Sequence, residues 1–193
     1  MRKTLSLLIC AVMILSLSVV GISAAEGTAI TNADEFMSMA IDGTYYLAND
    51  ITLNSTYDAI FLGVLDGNGK TVYNFTCTDS VPGFFGYATG AEIKKLKVDH
   101  AVFTTDTRYA GAIVGLLRES KLSSCAVGEN VVVTTESMMS STAQMGGVCG
   151  LVNNSTVTAC VNYGKVEALN ATGTSFVGGI AGVVGNESTL VNC

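Results

Sequence analysis

Asp99 and His100 are the residues best suited to acid–base chemistry, because they are adjacent and His100 is the only histidine of the chain. A histidine–carboxylate pair becomes a general base when a nucleophile or a metal lies beside it. Ser123 and Ser124 could supply a hydroxyl, but sequence spacing alone does not establish a triad. We therefore expect the pair to occupy a solvated strand-edge position, and we predict no catalytic residues and no enzymatic activity.

The segment Asp66-Gly67-Asn68-Gly69 resembles the start of a calcium-binding loop. Such a loop needs a carboxylate or amide at its fifth position and a glutamate at its twelfth. Lys70 and Cys77 stand at those positions instead. The segment therefore predicts a tight turn, and the sequence indicates neither a metal site nor a cofactor site.

A repeated five-residue motif organises the second half of the chain. It reads GAIVG at Gly111 to Gly115, GGVCG at Gly146 to Gly150 and GGIAG at Gly178 to Gly182, with a degenerate first copy, PGFFG, ending at Gly86. The closing glycines are 29, 35 and 32 residues apart. A repeat of this period is typical of a solenoid.

The match extends beyond the glycines. An aliphatic residue follows each closing glycine by seven or eight positions, and a leucine or cysteine follows three residues later: Ile93, Leu122, Val157 and Leu190, then Leu96, Cys125, Cys160 and Cys193. We expect glycines at bends, where positive φ or close backbone approach excludes a Cβ. Alternation within the motif should direct Ile113, Val148 and Ile180 into one stacked aliphatic column.

These patterns predict an all-β fold, a right-handed parallel β-helix, in which stacking the repeats buries a continuous core. An antiparallel sandwich or barrel is the alternative for many short strands. That alternative would not place the matching residues of successive repeats in equivalent structural positions.

Cys125, Cys160 and Cys193 occupy one position of the repeat, where the first copy has Leu96. In stacked coils their side chains would be parallel and about 4.8 Å apart, which disfavours the dihedral angle of a disulfide. We therefore predict a buried ladder of reduced thiols, with Cys77 and Cys149 on other columns.

The region at 26–80 predicts a small cap made of a helix and entry strands. Asn32 precedes Glu35 as in a capping box, and the spacing of Phe36, Met37 and Ala40 indicates one helical face. Strands should follow at Tyr45 to Leu47 and Ile51 to Leu53, and on both sides of the Asp66-to-Gly69 turn, which is of the kind that hairpins use. The repeats at 81–193 should end in an open coil that continues beyond this chain.

The N-terminus has the pattern of a signal peptide at 1–25. Arg2 and Lys3 precede an apolar run, and small residues allow cleavage after Ala24 or Ala25. Removing this segment changes the net charge from −6 to −8, because it contains two cations and no anions. An acidic chain without a basic stripe argues against nucleic-acid binding. No later apolar run is long enough to span a membrane, so we expect a secreted or cell-surface protein.

The stretch GGVCGLVNNSTVTACVNYGKV, Gly146 to Val166, with its aliphatic-x-x-Cys and Asn-x-Gly-x-Val pattern, resembles the GLUG-type repeat. That repeat occurs in large surface proteins of gut and rumen bacteria, including adhesin-like and IgA-protease-like chains. The segments YYLANDITL and LDGNGKTVYNF resemble the region that commonly precedes it. The resemblance implies a pectin-lyase-like β-helix in a bacterial surface protein, but it specifies fold more than function.

The function expected from these observations is that of a non-enzymatic, adhesin-like module whose loops bind host or plant glycans or surface proteins. Two alternatives stay open. The chain could be an accessory or N-terminal part of a polysaccharide-degrading β-helix enzyme with its catalytic residues outside this sequence, or it could be a pure spacer.

Overall fold

The computed structural model describes residues 25–57, 59–77, 81–106, 108–135, 142–169 and 173–193, and only the backbone of Asn74 and Phe75. The predicted signal peptide lies outside these residues except for Ala25. Strands dominate the described part, which confirms the expected all-β class.

The strands before the first repeat motif are β1 (Thr28–Ile30), β2 (Thr44–Leu47), β3 (Ile51–Thr52), β4 (Val64–Asp66) and β5 (Thr71–Cys77), with helix α1 (Ala33–Met37) after β1. The next strands are β6 (Phe85–Thr89), β7 (Glu92–Lys94), β8 (Lys97–Thr105), β9 (Tyr109–Gly111), β10 (Val114–Arg118), β11 (Lys121–Ser123), β12 (Ala126–Val127) and β13 (Val131–Thr135). The last are β14 (Ala143–Gly146), β15 (Cys149–Asn153), β16 (Thr156–Thr158), β17 (Val161–Asn162), β18 (Lys165–Glu167), β19 (Ser175–Gly178), β20 (Ala181–Val184) and β21 (Thr189–Val191).

These strands form four sheets whose described pairings are all parallel. Sheet A has the order β1-β2-β4-β7-β11-β16-β21, and sheet B joins β17-β12-β8-β13-β18 with β3 and β5. Sheet C has the order β20-β15-β10-β6, and sheet D has the order β19-β14-β9. From β9 onward the chain visits sheets D, C, A and B in turn, and then it repeats this order.

The core lies between the sheets and is built of stacked columns. In sheet A, Leu65, Ile93, Leu122 and Val157 are successive partners, and all four are buried. Their neighbours along each strand point outward because side chains alternate along a strand. Each repeat therefore buries its aliphatic residue against the equivalent residue of the repeat before it.

The five-residue motif is a corner between two strands and not a strand. Gly111 ends β9 and Val114 begins β10, while Ala112, Ile113 and Val114 are all fully buried. The expected alternation is therefore wrong, because the bend lets consecutive side chains enter the core. The backbone N–H of Ile113 donates to the Val148 carbonyl at 3.0 Å, so these two corners lie on top of one another.

Close backbone approach, and not positive φ, explains the repeat glycines. A Cβ on Gly111 would lie 2.5 Å from the Val114 carbonyl oxygen, and one on Gly150 would lie 2.6 Å from the Gly115 oxygen. The described glycines with positive φ stand elsewhere, at Gly27, Gly69 and Gly90. The strand register aligns Gly111, Gly146 and Gly178 in one column, and it aligns Gly86, Gly115, Gly150 and Gly182 in a second column.

Helix α1 begins as its capping residues predict. The side chain of Asn32 accepts a hydrogen bond from the Glu35 N–H at 3.0 Å. Phe36 is fully buried, but Met37 is 40% exposed and Ala40 is exposed too. The predicted apolar face is wrong at Met37 and Ala40 because the helix has only five residues and ends at Met37.

An aromatic cluster covers the N-terminal end of the core. The Phe36 ring lies 4.8 Å from that of Phe84, and Phe61 stacks on Phe85 with their centroids 4.5 Å apart. Tyr57 makes an edge contact with Phe85 at 5.6 Å. Helix α1 thereby closes this end of the core against water.

The Asp66-to-Gly69 segment is a turn, as predicted. The Asn68 N–H donates to the Asp66 carboxylate at 2.8 Å, and Asn68 adopts a φ of 52°. However, β4 and β5 on its two sides belong to sheets A and B and do not pair with each other. The turn is thus a corner between sheets, and the hairpin-like expectation is wrong.

Candidate ligand-binding site

Three stacked segments of sheet B and its turns form a pocket that we call the Tyr163 pocket. The Gly128 N–H donates to the Val98 carbonyl at 2.8 Å, and the Tyr163 N–H donates to the Val127 carbonyl at 3.0 Å. This register brings Asp99, Gly128 and Tyr163 to equivalent places on successive levels. The pocket has a volume of about 360 Å³ and is lined by Lys97, Asp99, Gly128, Glu129 and Tyr163.

The segment between β12 and β13 bulges opposite Asp99, whose side chain lines this pocket. Val98 pairs with Val127 and Ala101 pairs with Val131, so two residues of β8 lie opposite three of the neighbouring segment. His100 has a φ of 52° at this point. Such a bulge re-aims the side chains beside it. Asp99 consequently lies over Gly128, where any Cβ would collide with the carboxylate.

The Asp99 carboxylate is buried and held by several donors. Its residue is only 8% exposed, so the expected solvated strand-edge position is wrong for Asp99. It accepts hydrogen bonds from the His100 N–H at 3.0 Å and the Asn130 N–H at 3.4 Å, and Lys97 Nζ lies 3.4 Å away. Burial alone would raise the pKa of Asp99, but the His100 N–H and the Lys97 ammonium outweigh it and lower the pKa. Asp99 is therefore a fixed carboxylate at neutral pH.

His100 follows Asp99 in β8 and faces solvent. Its side chain is 54% exposed, and Nδ1 lies 3.6 Å from Asp99 Oδ1. Ser123, in contrast, lies in sheet A and lines a separate cleft with Lys121 and Thr158. The structure does not bring Ser123 to His100, because the two residues lie in different sheets.

Tyr163 lies in the turn between β17 and β18, and the adjacent residues Asn162 and Gly164 fix the backbone of this turn. The Asn162 side chain accepts from the Gly164 N–H at 2.9 Å and donates to the Gly164 carbonyl at 3.2 Å. A Cβ on Gly164 would lie 2.7 Å from the Val131 carbonyl oxygen, so the turn packs closely on the level below. Tyr163 itself is 71% exposed. A bulky ring thus stands at the pocket rim on a fixed backbone.

Sequence reasoning missed Tyr163 and Glu129 as candidate site residues. The signal that could have found Tyr163 is the Asn-x-Gly pattern around it, which we used only as a repeat signature. Asp99 and Tyr163 are distant in the chain, and the register of three repeats is needed to bring them together.

The outer face of sheet A offers a second polar surface. A cleft of about 490 Å³ is lined in part by Asp66, Glu92, Lys94 and Lys95, and it adjoins a cleft of about 270 Å³ that shares Glu92. Lys94 pairs with Glu92 at 3.2 Å, and Lys95 pairs with Asp66 at 3.5 Å. Because these charges are paired within the face, they present a mixed surface and no strong field of one sign.

The repeat cysteines pack into the core as far as the last level. Cys125 and Cys160 are buried thiols, and each Sγ lies 3.4 Å from the carbonyl oxygen two residues earlier. The contact with Cys160 and then burial raise the pKa of Cys125, and burial raises that of Cys149. Cys193 is exposed, so the predicted burial is wrong there. No described level covers it.

Comparisons of the chain with other proteins found no match. No protein-family model, no curated protein and no solved structure matches the chain. Among the described residues, no group of three His, Cys, Asp or Glu side chains could hold a metal ion. The same part of the chain contains no helix long and apolar enough to cross a membrane.

Proposed function

We propose that this chain is an exported, non-enzymatic surface module that binds a glycan or a protein through the Tyr163 pocket. The observation that carries the proposal is an exposed aromatic ring on a fixed turn beside a buried, hydrogen-bonded carboxylate. Rigid backbone and pre-positioned polar groups are what a binding site needs, since they reduce the entropy lost on association.

The framework we propose is a right-handed parallel β-helix of GLUG-type repeats. Parallel pairing in all four sheets and the repeated order of sheets along the chain support this architecture. The right hand is expected because connections between parallel strands of one sheet are almost always right-handed. Such a framework is a rigid rod, which suits a protein that presents sites away from a cell surface.

Export and surface location are supported by the N-terminal charge pattern and by the acidic composition. The chain carries a net charge of −6 with one histidine. On the outer face of sheet A, Glu92 pairs with Lys94 and Asp66 pairs with Lys95. His100 has no serine of the Ser123–Ser124 segment in its sheet. These features favour binding over acid–base chemistry.

The test measures whether the purified full chain is retained by animal epithelial cells or by plant cell-wall particles. We expect fluorescently labelled chain to be retained by epithelial cell surfaces or by plant cell-wall particles. Glu129→Lys should weaken that retention, because it reverses a charge that lines the pocket. Glu119→Lys is the matched control, since Glu119 is an exposed glutamate outside the pocket. Failure of the unchanged protein to be retained by either surface would contradict the proposal.

A further inference from the structure

We infer that the Tyr163 pocket binds a neutral carbohydrate, with one sugar ring packed against the Tyr163 ring and its hydroxyls hydrogen-bonded to the pocket carboxylates. The inference rests on the proposed function and names the ligand class of the same site.

The first support is the geometry of Tyr163. A sugar ring has a face of C–H groups and a rim of hydroxyls, so it needs a flat apolar surface with polar groups beside it. Tyrosine supplies a large, rigid, amphipathic surface at low conformational cost. Tyr163 is 71% exposed. The two hydrogen bonds between the Asn162 side chain and the Gly164 backbone fix the turn that carries it. The ring is therefore available on one side and positioned in advance.

The second support is the set of polar groups that line the pocket together with Tyr163. Asp99 and Glu129 carry carboxylates that accept hydrogen bonds from hydroxyls, and Lys97 carries an ammonium that donates to them. Asp99 is already oriented by the His100 and Asn130 N–H groups. A ligand rich in hydroxyls can use both kinds of partner at once, because each hydroxyl donates and accepts.

The charge of the pocket disfavours anionic and apolar small ligands. Two carboxylates and one ammonium give it an excess of negative charge, in a chain whose net charge is −6. Phosphates and acidic sugars are repelled by such a field. An apolar ligand could pack against only one aromatic ring. It would also remove water from the charged groups without replacing their hydrogen bonds, which costs free energy. A neutral, hydroxylated ligand meets neither penalty.

The volume of the pocket is compatible with a short saccharide segment. About 360 Å³ lies within the range of roughly 300–1,000 Å³ that is usual for small-ligand sites. Gly128, between the levels of Asp99 and Tyr163, has no side chain, and the Asp99 carboxylate lies in the place that a Cβ would take.

The experiment is affinity electrophoresis of the full chain in gels that contain mannan, xylan, galactan or mixed-linkage β-glucan, with polygalacturonate as the acidic comparison. We expect at least one neutral polysaccharide to retard the chain and polygalacturonate to leave it unretarded. Tyr163→Ala should weaken binding by about tenfold or more, as loss of an aromatic anchor does. Tyr163→Phe keeps the ring and should lose less. Tyr87→Ala, at an exposed tyrosine of β6 outside the pocket, should bind as the unchanged chain does.

Three outcomes would overturn the inference. Retention on cells or cell-wall particles without retardation by any neutral polysaccharide would contradict the carbohydrate assignment and leave the proposed function standing. Absence of both would contradict both. Undiminished retardation of Tyr163→Ala, with circular dichroism unchanged, would show that a sugar binds elsewhere on the chain.

Discussion

At the scale of single residues, absent side chains matter as much as present ones. Gly128 leaves room for the Asp99 carboxylate, and Gly147 leaves room for the Asn162 amide. Asp99 comes from the level next to Gly128, whereas Asn162 belongs to the same repeat as Gly147, which also lies against the Gly179 carbonyl of the next repeat. Their function is close approach between levels, so a single methyl group at either position disturbs a contact between two repeats.

Gly147 and Gly179 stand at the same place in consecutive motifs and allow a matched comparison. A Cβ on Gly147 would collide with the Asn162 side chain and the Gly179 carbonyl, whereas one on Gly179 would meet nothing within 4 Å. We expect Gly147→Ala to lower the free energy of unfolding by about 1–3 kcal/mol, as overpacking does. Gly179→Ala should change it little. Urea unfolding measures both, and equal effects at the two sites would contradict the packing argument.

The Asp99 carboxylate should make stability depend on pH. Its pKa is lowered in the folded chain, so it binds protons less readily there than in the unfolded chain, and it stabilises the fold above its unfolded pKa. That contribution should be lost as pH falls from about 4 through the lower, folded value. Unfolding free energies of the unchanged chain and of Asp99→Asn, compared from neutral to acid pH, should converge in that range. A constant difference between them would contradict this assignment.

At the scale of elements, turns position the candidate site. Strand content and the N-cap of α1 could be predicted from residue types, since both depend on local preferences. The corner inside each glycine motif could not be predicted, because the pattern Gly-x-aliphatic-x-Gly is equally compatible with a strand. The bulge between β12 and β13, opposite Asp99 and His100, was missed for a related reason. Only the pairing of this segment with β8, where Val131 opposes Ala101, reveals the extra residue.

The Asn162-to-Gly164 turn is the element whose loss should affect the pocket most. Asn162→Ala removes both hydrogen bonds to Gly164 and should lower the free energy of unfolding by about 1–2 kcal/mol. Asn162→Asp keeps the acceptor for the Gly164 N–H and should cost less. Hydrogen exchange at the Gly164 amide reports the turn directly. If that amide exchanges as slowly in the alanine variant as in the unchanged chain, the Asn162 hydrogen bonds do not hold the turn.

At the scale of the whole molecule, parallel stacking places the equivalent residues of successive repeats side by side on one surface. Residues that are about thirty positions apart become neighbours, which is how Lys97, Glu129 and Tyr163 come to line one pocket. The period of the motif suffices to predict which residues share a column. It does not indicate which outward columns enclose a pocket, because that depends on where a glycine stands between larger side chains.

The central claim, that the repeats stack in parallel and in register, can be tested by one distance. Thr44 and Thr189 are exposed and lie in one column of sheet A, joined through Val64, Glu92, Lys121 and Thr156. Five steps of about 4.8 Å separate their backbones by about 24 Å. Spin labels at these two positions, in a Cys193→Ser background, should give a pulsed electron resonance distribution centred near that value after allowance for the label arms. A main distance beyond about 40 Å would mean that β2 and β21 do not belong to one stacked sheet.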